Sequence, residues 1–498
     1  LPRQSPNVAI MNPLLKLIKT HSYELLTVAV IFVFSLFKLH DVRIPYHWDE
    51  MGVYVPAAFQ MIDTGHIGLL PGNLDPLFSR GHPLLFTFCN ALVFKIFGDT
   101  ITVGHLFALF LAIITLVLFF IIAKNLYNRK VAFFATVLLS AQPIFFSLSV
   151  QLLPEMMLTF FALGCIYGIL KKKWALFALS GSLTMLTKES AIVIPATALI
   201  VLFIESIRDK DFFTLKRFRL FLLGATPLFV FSLFLIIQKI QNGWFLFPEH
   251  MGYIHWEMER LSKGAARIFQ DMFIWQGRWM IGVVFLAGIV LGFFSKFLKT
   301  GPKGKFIFTF ALFILLVFIF ADINYYLTRY ILYVIPFIVL GGTYTAFLIF
   351  ERIFSNLKMM QWVMIIYFSA YGVRLGHTNM YTYSNTCDMS YKMVVNVSLK
   401  AIHWAEQNWN KDTIEANFPI YQGIEDPRNG YLTGKPLPFS VNFVKPTKYG
   451  LLFYVWEEKN IPVGKSLNFH IIKTFDEDWA HVAAVEFERN DTISSGKE

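Results

Sequence analysis

Residues 23–50 read YELLTVAVIFVFSLFKLHDVRIPYHWDE. Tyr23–His40 is apolar over about the 17–25 residues that a helix needs to cross a bilayer. Two adjacent carboxylates, Asp49 and Glu50, stand just beyond its lip. Carboxylates there cost free energy unless solvated or paired, so ionisable residues beside a span are functional candidates. Taken alone, a solvated acidic loop explains the pair equally well. The rest of the chain decides between the two.

Apolar runs of similar length recur along the sequence. With 56% hydrophobic residues, 15% charged residues and 54 Phe, the chain is not an ordinary soluble protein. The runs lack the period-two alternation of barrel strands, so helices must satisfy the backbone in lipid. The fold class expected is a polytopic α-helical membrane protein of about eleven transmembrane helices. The spans are Tyr23–His40, Ile101–Ala123, Val131–Val150, Glu155–Leu170, Trp174–Leu186, Ala191–Ile207, Phe218–Ile240, Met280–Phe297, Phe306–Phe320, Arg329–Phe350 and Trp362–Val373.

The net charge of +11 lies mainly in short connections: Lys124/Arg129/Lys130, Lys171–Lys173, Arg208–Arg219, Lys296–Lys305 and Arg352/Lys358. Such clusters are topology signals and not a nucleic-acid patch. With the N-terminus inside, all of them fall on the cytoplasmic side, provided Gly81–Phe97 does not cross. That segment is short, holds Asn90 and Lys95, and opens with Gly81 and Pro83, which suits an interfacial or re-entrant helix. The expected plan is a cytoplasmic N-terminus (1–22), a membrane domain (23–375) with outer loops 41–100 and 241–278, and a small extracytoplasmic α/β domain (376–498). In that tail, Met393, Val394, Val397, Ala401 and Trp404 recur at helical spacing. Leu451–Trp456 and Val482–Phe487 are β-rich, and Asp426–Pro427 and Asn429–Gly430 are turn signals. Cys89, Cys165 and Cys387 form no disulfide framework.

On this plan Asp49, Glu50, Arg80, His82, Glu155, Lys188, Asp322 and Arg329 all collect at the outer lip. Carboxylates act as bases, while Arg and Lys hold anions by charge-assisted hydrogen bonds. A base plus an anion clamp at a membrane surface suits transfer from a lipid phosphate. Each residue also has a plainer reading. Glu155 starts a helix, Lys188–Glu189 forms a local pair, Arg329 snorkels, Arg80 meets headgroups, and His82 is an interfacial histidine. Only their shared side escapes those readings. In the loop PEHMGYIHWEME (248–259), Glu249, His250, His255 and Glu257 match no standard zinc spacing. No metal or other cofactor is expected, an outer-loop metal being the lesser alternative. Trp244, Phe245, Phe247, Tyr253 and Trp256 read instead as an interfacial aromatic lid. No Walker loop, dinucleotide fingerprint or GxSxG motif occurs.

HWDEMGVY resembles the acidic motif that opens the first outer loop of GT-C glycosyltransferases, in the group that includes protein O-mannosyltransferases and aminoarabinose transferases. RGHPLLF (80–86), Glu155, LTKES (186–190) and TRYILYVIP (328–336) are similar to that group's later motifs, in the same order. In the aminoarabinose branch an Arg follows the acidic pair; here Gly52 and Val53 stand in that stretch. The resemblance implies an inverting transferase that uses a sugar on a polyprenyl phosphate. It implies a catalytic group of Asp49, Glu50 and Glu155, with Asp49 as general base. Arg80, His82, Lys188, Arg329 and Tyr330 would surround the donor phosphate, and Trp244, His250, His255 and Trp256 would form the lid and acceptor side. The partners implied are the lipid-linked donor, membrane lipids and an acceptor glycan, lipid or protein, with no nucleic acid. The expected location is a bacterial inner (plasma) membrane, the site facing away from the cytoplasm. The competing class is a transporter or flippase of a lipid-linked or anionic substrate, which predicts paired half-repeats and broken spans near the midplane.

Overall fold

The computed structural model describes residues 21–252, 254, 257–294, 302–353, 386–444, 446–455 and 467–488. Among these, six helices are long and apolar enough to cross a membrane. The protein is an integral membrane protein. Helix α1 (Ser22–Leu39) leads into the outer loop, which carries α2 (Val55–Asp63) and α3 (Leu85–Phe97). Then come α4 (Ile101–Leu126), α5 (Arg129–Ser140), α6 (Pro154–Leu170), α7 (Trp174–Thr187), α8 (Val193–Asp209) and α9 (Leu215–Asn242). Helices α10 (Met258–Phe273), α11 (Trp279–Phe294), α12 (Pro302–Ile323) and α13 (Ile335–Ile353) complete the described bundle. The expected span Trp362–Val373 lies outside the described residues.

The expected span Val131–Val150 is not one helix. Helix α5 stops at Ser140, Gln142 is extended, and a separate turn runs Pro143–Leu148. Pro143 disfavours helical geometry at the residue before it. Helix α3 has 13 residues, about 20 Å at 1.5 Å per residue, short of the hydrocarbon thickness. It starts after Pro83, ends at Gly98 (φ +95°), and packs on α2 and α4.

Ion pairs sort the two ends of the bundle. Lys124 and Arg129 reach Glu24 at 3.6 and 3.2 Å. Lys172 reaches Glu205 at 3.3 Å, and Arg217 reaches Asp211 at 2.8 Å. Lys171 donates to the Asn125 carbonyl at 3.0 Å and joins these groups. The connections Lys124/Arg129/Lys130, Lys171–Lys173 and Arg208–Arg219 thus share one end, while Asp49, Glu155, Lys188 and Arg329 meet at helix termini of the other; the side chains of Lys296–Lys305 and Arg352/Lys358 lie outside the described ones. Charges expected on opposite sides are separated by the bundle.

The C-terminal part is a five-stranded sheet of order β2-β1-β3-β5-β4, built from β1 (Ile414–Ala416), β2 (Phe439–Ser440), β3 (Tyr449–Val455), β4 (Phe469–Glu477) and β5 (Ala480–Phe487). Strand β1 is parallel to β2 and β3; β3–β5 and β4–β5 are antiparallel. Helix α14 (Tyr391–Asn408) covers it, burying Val394, Val397 and Ala401. The expected helical period and both β-rich stretches are therefore realised. This unit sits on the first outer loop. Asn429 accepts from the Tyr46 amide (3.1 Å), the Tyr431 hydroxyl donates to the Tyr46 carbonyl (2.9 Å), and Phe418 meets the Trp48 ring edge-on at 4.4 Å. Lys392 pairs with Asp41 at 2.6 Å, and Arg428 with Asp63 at 3.1 Å.

A cysteine at exposed Asn125 is expected to resist an impermeant thiol reagent in intact cells. One at exposed Lys435 is expected to react. Labelling of position 125 from outside would refute the assignment of ends.

Candidate functional site

Local backbone geometry places the acidic motif. Trp48 adopts φ +54°, in the left-handed region, and Glu50–Tyr54 forms a wide π turn before α2. Both are sparsely populated conformations that persist where surrounding contacts hold them, often at functional sites. The contact holding Trp48 is Phe418 of the C-terminal unit.

Asp49 and Glu50 diverge from this turn. The Asp49 side chain is 30% exposed and bonds the Arg329 guanidinium. Glu50 is buried and accepts from the His47 amide at 3.0 Å, the Leu152 amide, and His105 Nε2 at 3.1 Å. Glu50, expected beside Asp49 in the catalytic group, is turned inward instead: its carboxylate ties the motif to the loop before α6 and to α4. Losing it would strand two buried amides, at about 1–3 kcal/mol each.

Glu155 is also placed differently from expectation. At the first turn of α6 its side chain is only 2% exposed and pairs with Lys188 Nζ (2.8 Å) and Arg329 Nε (3.3 Å). It is the counter-ion of two buried cations and not a base open to substrate. Lys188, 6% exposed, also lies 3.7 Å from the centre of the Tyr330 ring. Arg329, 2% exposed, bridges Asp49 and Glu155. Its loop is propped by Asp271, which accepts from Tyr326 and from Thr328, both at 2.9 Å. Asp49, Glu155, Lys188 and Arg329 form a charge-balanced set in which only Asp49 reaches solvent. Burial raises the Asp49 pKa, but the Arg329 charge and hydrogen bond outweigh it and hold the carboxyl below its usual range.

Arg80 and His82 form the rim. Arg80 is exposed, at φ +46°, and close enough to Asp49 to stabilise its charge. His82 Nδ1 lies 3.1 Å from Glu189 Oε2. The expected local pair Lys188–Glu189 is thus replaced by two pairs, Lys188–Glu155 and His82–Glu189. Of the expected lid, Trp244, Phe247 and His250 lie against this rim. Trp244 and Phe247 press on Gly81, where a Cβ would meet them at 3.0 and 2.9 Å, and Gly81 has φ +73°. The His250 ring stands 5.0 Å from that of His82. Tyr253, His255 and Trp256 lie outside the described residues. Asp322 stands apart from the cluster, facing Gly264 on α10. The described residues include no group of three or more His, Cys, Asp or Glu fit to hold a metal.

Sequence reasoning missed His105, Asp271 and the C-terminal residues that hold the motif. His105 in the apolar helix α4 was the available signal, a lone imidazole in a span. Buried His47 stacks on Tyr391 at 5.7 Å, and burial pushes its pKa down to about 3, so it is neutral at pH 7.

Comparisons with known proteins follow this geometry. The profile of the family described as dolichyl-phosphate-mannose-protein mannosyltransferase matches residues 81–237. The fold matches ArnT from Cupriavidus metallidurans bound to undecaprenyl phosphate, with TM-score 0.59, 13% identity, and coverage of 93% of this chain and 98% of that one. It also matches the archaeal oligosaccharyltransferase AglB from Archaeoglobus fulgidus, in complex with an inhibitory peptide and a dolichol-phosphate. There the TM-score is 0.53 with 10% identity, over 87% of this chain and 69% of that one. No curated protein matches the chain in sequence. The architecture is that of GT-C membrane proteins. Within it, the chain is similar to the protein O-mannosyltransferase and ArnT group, as its motifs indicated.

Glu50→Gln puts an amide nitrogen against the His47 or Leu152 N–H. It is expected to lower stability by about 1–3 kcal/mol while turnover per folded molecule falls far less than in Asp49→Asn. Thermal unfolding with specific activity separates the two; equal losses of turnover would place Glu50 among the reacting groups. Gly81→Ala meets both positive φ and the lid aromatics. It is expected to displace Trp244 and Phe247, read as a lowered melting temperature and a changed tryptophan emission.

Proposed function

We propose that the protein is an inverting glycosyltransferase that moves a sugar from a polyprenyl-phosphate donor to an acceptor hydroxyl on the extracytoplasmic face of a bacterial inner membrane. The observation that carries this reading is Asp49, a solvent-reachable carboxylate bonded to buried Arg329, with buried Lys188 close enough to stabilise its charge, at one end of the bundle. The family profile and the lipid phosphates named with the two structural neighbours agree with it.

In this reading the donor phosphate enters beneath the lid beside Arg80 and His82. Asp49 takes the proton of the acceptor hydroxyl as its oxygen attacks the sugar C1. The C1–O bond to phosphate breaks with its electron pair leaving on oxygen, and polyprenyl phosphate departs. Attack from the opposite face inverts the anomeric centre. Cations that meet charge growing on the leaving phosphate act in the transition state more than in the ground state. The arriving phosphate also competes for Arg329. As that guanidinium turns to phosphate, its hold on Asp49 weakens and the carboxylate becomes a stronger base when the acceptor needs one.

Incubation with a panel of polyprenyl-phosphate sugars is expected to release polyprenyl phosphate from one donor class. Asp49→Asn should cut the rate by ~10²–10⁴. Near wild-type turnover in Asp49→Asn would remove the base assignment. Transport of a lipid-linked substrate without lipid phosphate release would favour the flippase reading instead.

Arg329→Lys keeps charge but loses the planar fork that bridges two carboxylates. Losses in both kcat and KM are expected, and unchanged values of both would take Arg329 out of the site. The pH profile carries a sign. Because Arg329 depresses the Asp49 pKa, Asp49 stays ionised below the ordinary carboxylate value of about 3.9. The acid limb of kcat/KM should therefore lie below it in wild type and move upward in Arg329→Lys.

A further inference from the structure

The end of the bundle away from Asp49 holds a cavity of about 400 Å³ between α6, α8 and α12. Its walls are apolar, with Val201, Ile204 and Phe306 among them, and its rim carries Lys171, Lys172 and Arg208. We infer that this cavity binds an anionic glycerophospholipid, with the headgroup phosphate on those three cations and acyl chain along the apolar walls.

The rim has cationic capacity to spare. Lys171 gives one hydrogen bond to the Asn125 carbonyl and rests 5.7 Å from the Phe306 ring centre. Lys172 pairs with Glu205 at 3.3 Å, and Arg208 with Asp209 at 2.8 Å. An ammonium has three donors and a guanidinium five, so each cation retains donors for phosphate. Glu205, the carboxylate within the cavity, is already met by Lys172 and by Arg217 at 3.6 Å. Segments 171–173 and 205–219 together carry eight Lys or Arg against three Asp or Glu. Basic pockets between spans on the cytoplasmic side suit anionic headgroups, each cation contributing about 1 kcal/mol near such a surface.

Depth fits as well. Phe213 is 99% exposed and Leu215 65%, beside Asp211, Lys210 and Lys216. Large apolar side chains standing free among charges belong at the membrane–water boundary. Phe212 of this tip contacts Phe203, next to Ile204 in the cavity wall, with ring centres 6.0 Å apart. The cavity mouth therefore lies at headgroup level with its walls turned to the acyl region. Nothing in this inference depends on the reaction at the other end.

The test is thermal unfolding of the full-length, delipidated protein in detergent, titrated with phosphatidylglycerol, phosphatidylcholine or inorganic phosphate. Phosphatidylglycerol is expected to raise the melting temperature, the other two not. The variant Lys171→Gln/Lys172→Gln/Arg208→Gln should need roughly 100-fold more phosphatidylglycerol, about five-fold per cation. Ile204→Trp keeps every charge, fills the cavity, and should lose the response too. Equal stabilisation by phosphatidylcholine, an unshifted triple variant, or inorganic phosphate matching the lipid would each overturn the inference. If the triple variant does not fold, the lipid preference of wild type and the Ile204→Trp response decide it.

Discussion

Arg329 is the group around which the site is organised. A guanidinium cannot shed its proton to escape burial, so it must be paired where it stands. Asp49 and Glu155 neutralise it, and Lys188 balances the second carboxylate. The four charges sum to zero, which allows them to sit among helix termini at modest cost. Removing any one leaves a charge without its counterpart, and that is the expensive state. Asp49 is the only member of this set that also reaches solvent, so the same constraint that buries three groups presents the fourth.

A second layer holds that presentation in place. Glu50 fastens the motif to the loop before α6, Asp271 props the loop carrying Arg329, and the lid closes on Gly81. Each joins segments far apart in sequence at a point adjoining one of the charged groups.

The membrane part was legible because hydropathy and basic connections act locally. The six long apolar helices and the separation of the described charges onto two ends follow from short windows of sequence. The break after Ser140 was missed: Pro143 signalled it, but the largely apolar run Val131–Val150 read as one span. That Glu50 is buried while Asp49 reaches solvent was not legible. Neighbours on a helical turn point about 100° apart, and no local signal says which one faces the core. Pairing was equally hidden. Lys188 lies next to Glu189 in sequence, yet it bonds Glu155, while Glu189 turns to His82. Those choices belong to packing between helices, as does the docking of Phe418 and Tyr431 on the motif.

That docking bears on how the protein matures. Tyr46 is bonded by Tyr431, 385 residues later, and Asp41 by Lys392, 351 residues later. The acidic loop leaves the ribosome early, while the unit that clasps it is made more than 340 residues later. Until then, Trp48 has no Phe418 to keep it in its strained conformation. A chain lacking that unit would hold the charged cluster in an unfinished frame. The frame around the charged cluster is thus completed by contacts made hundreds of residues after the loop itself.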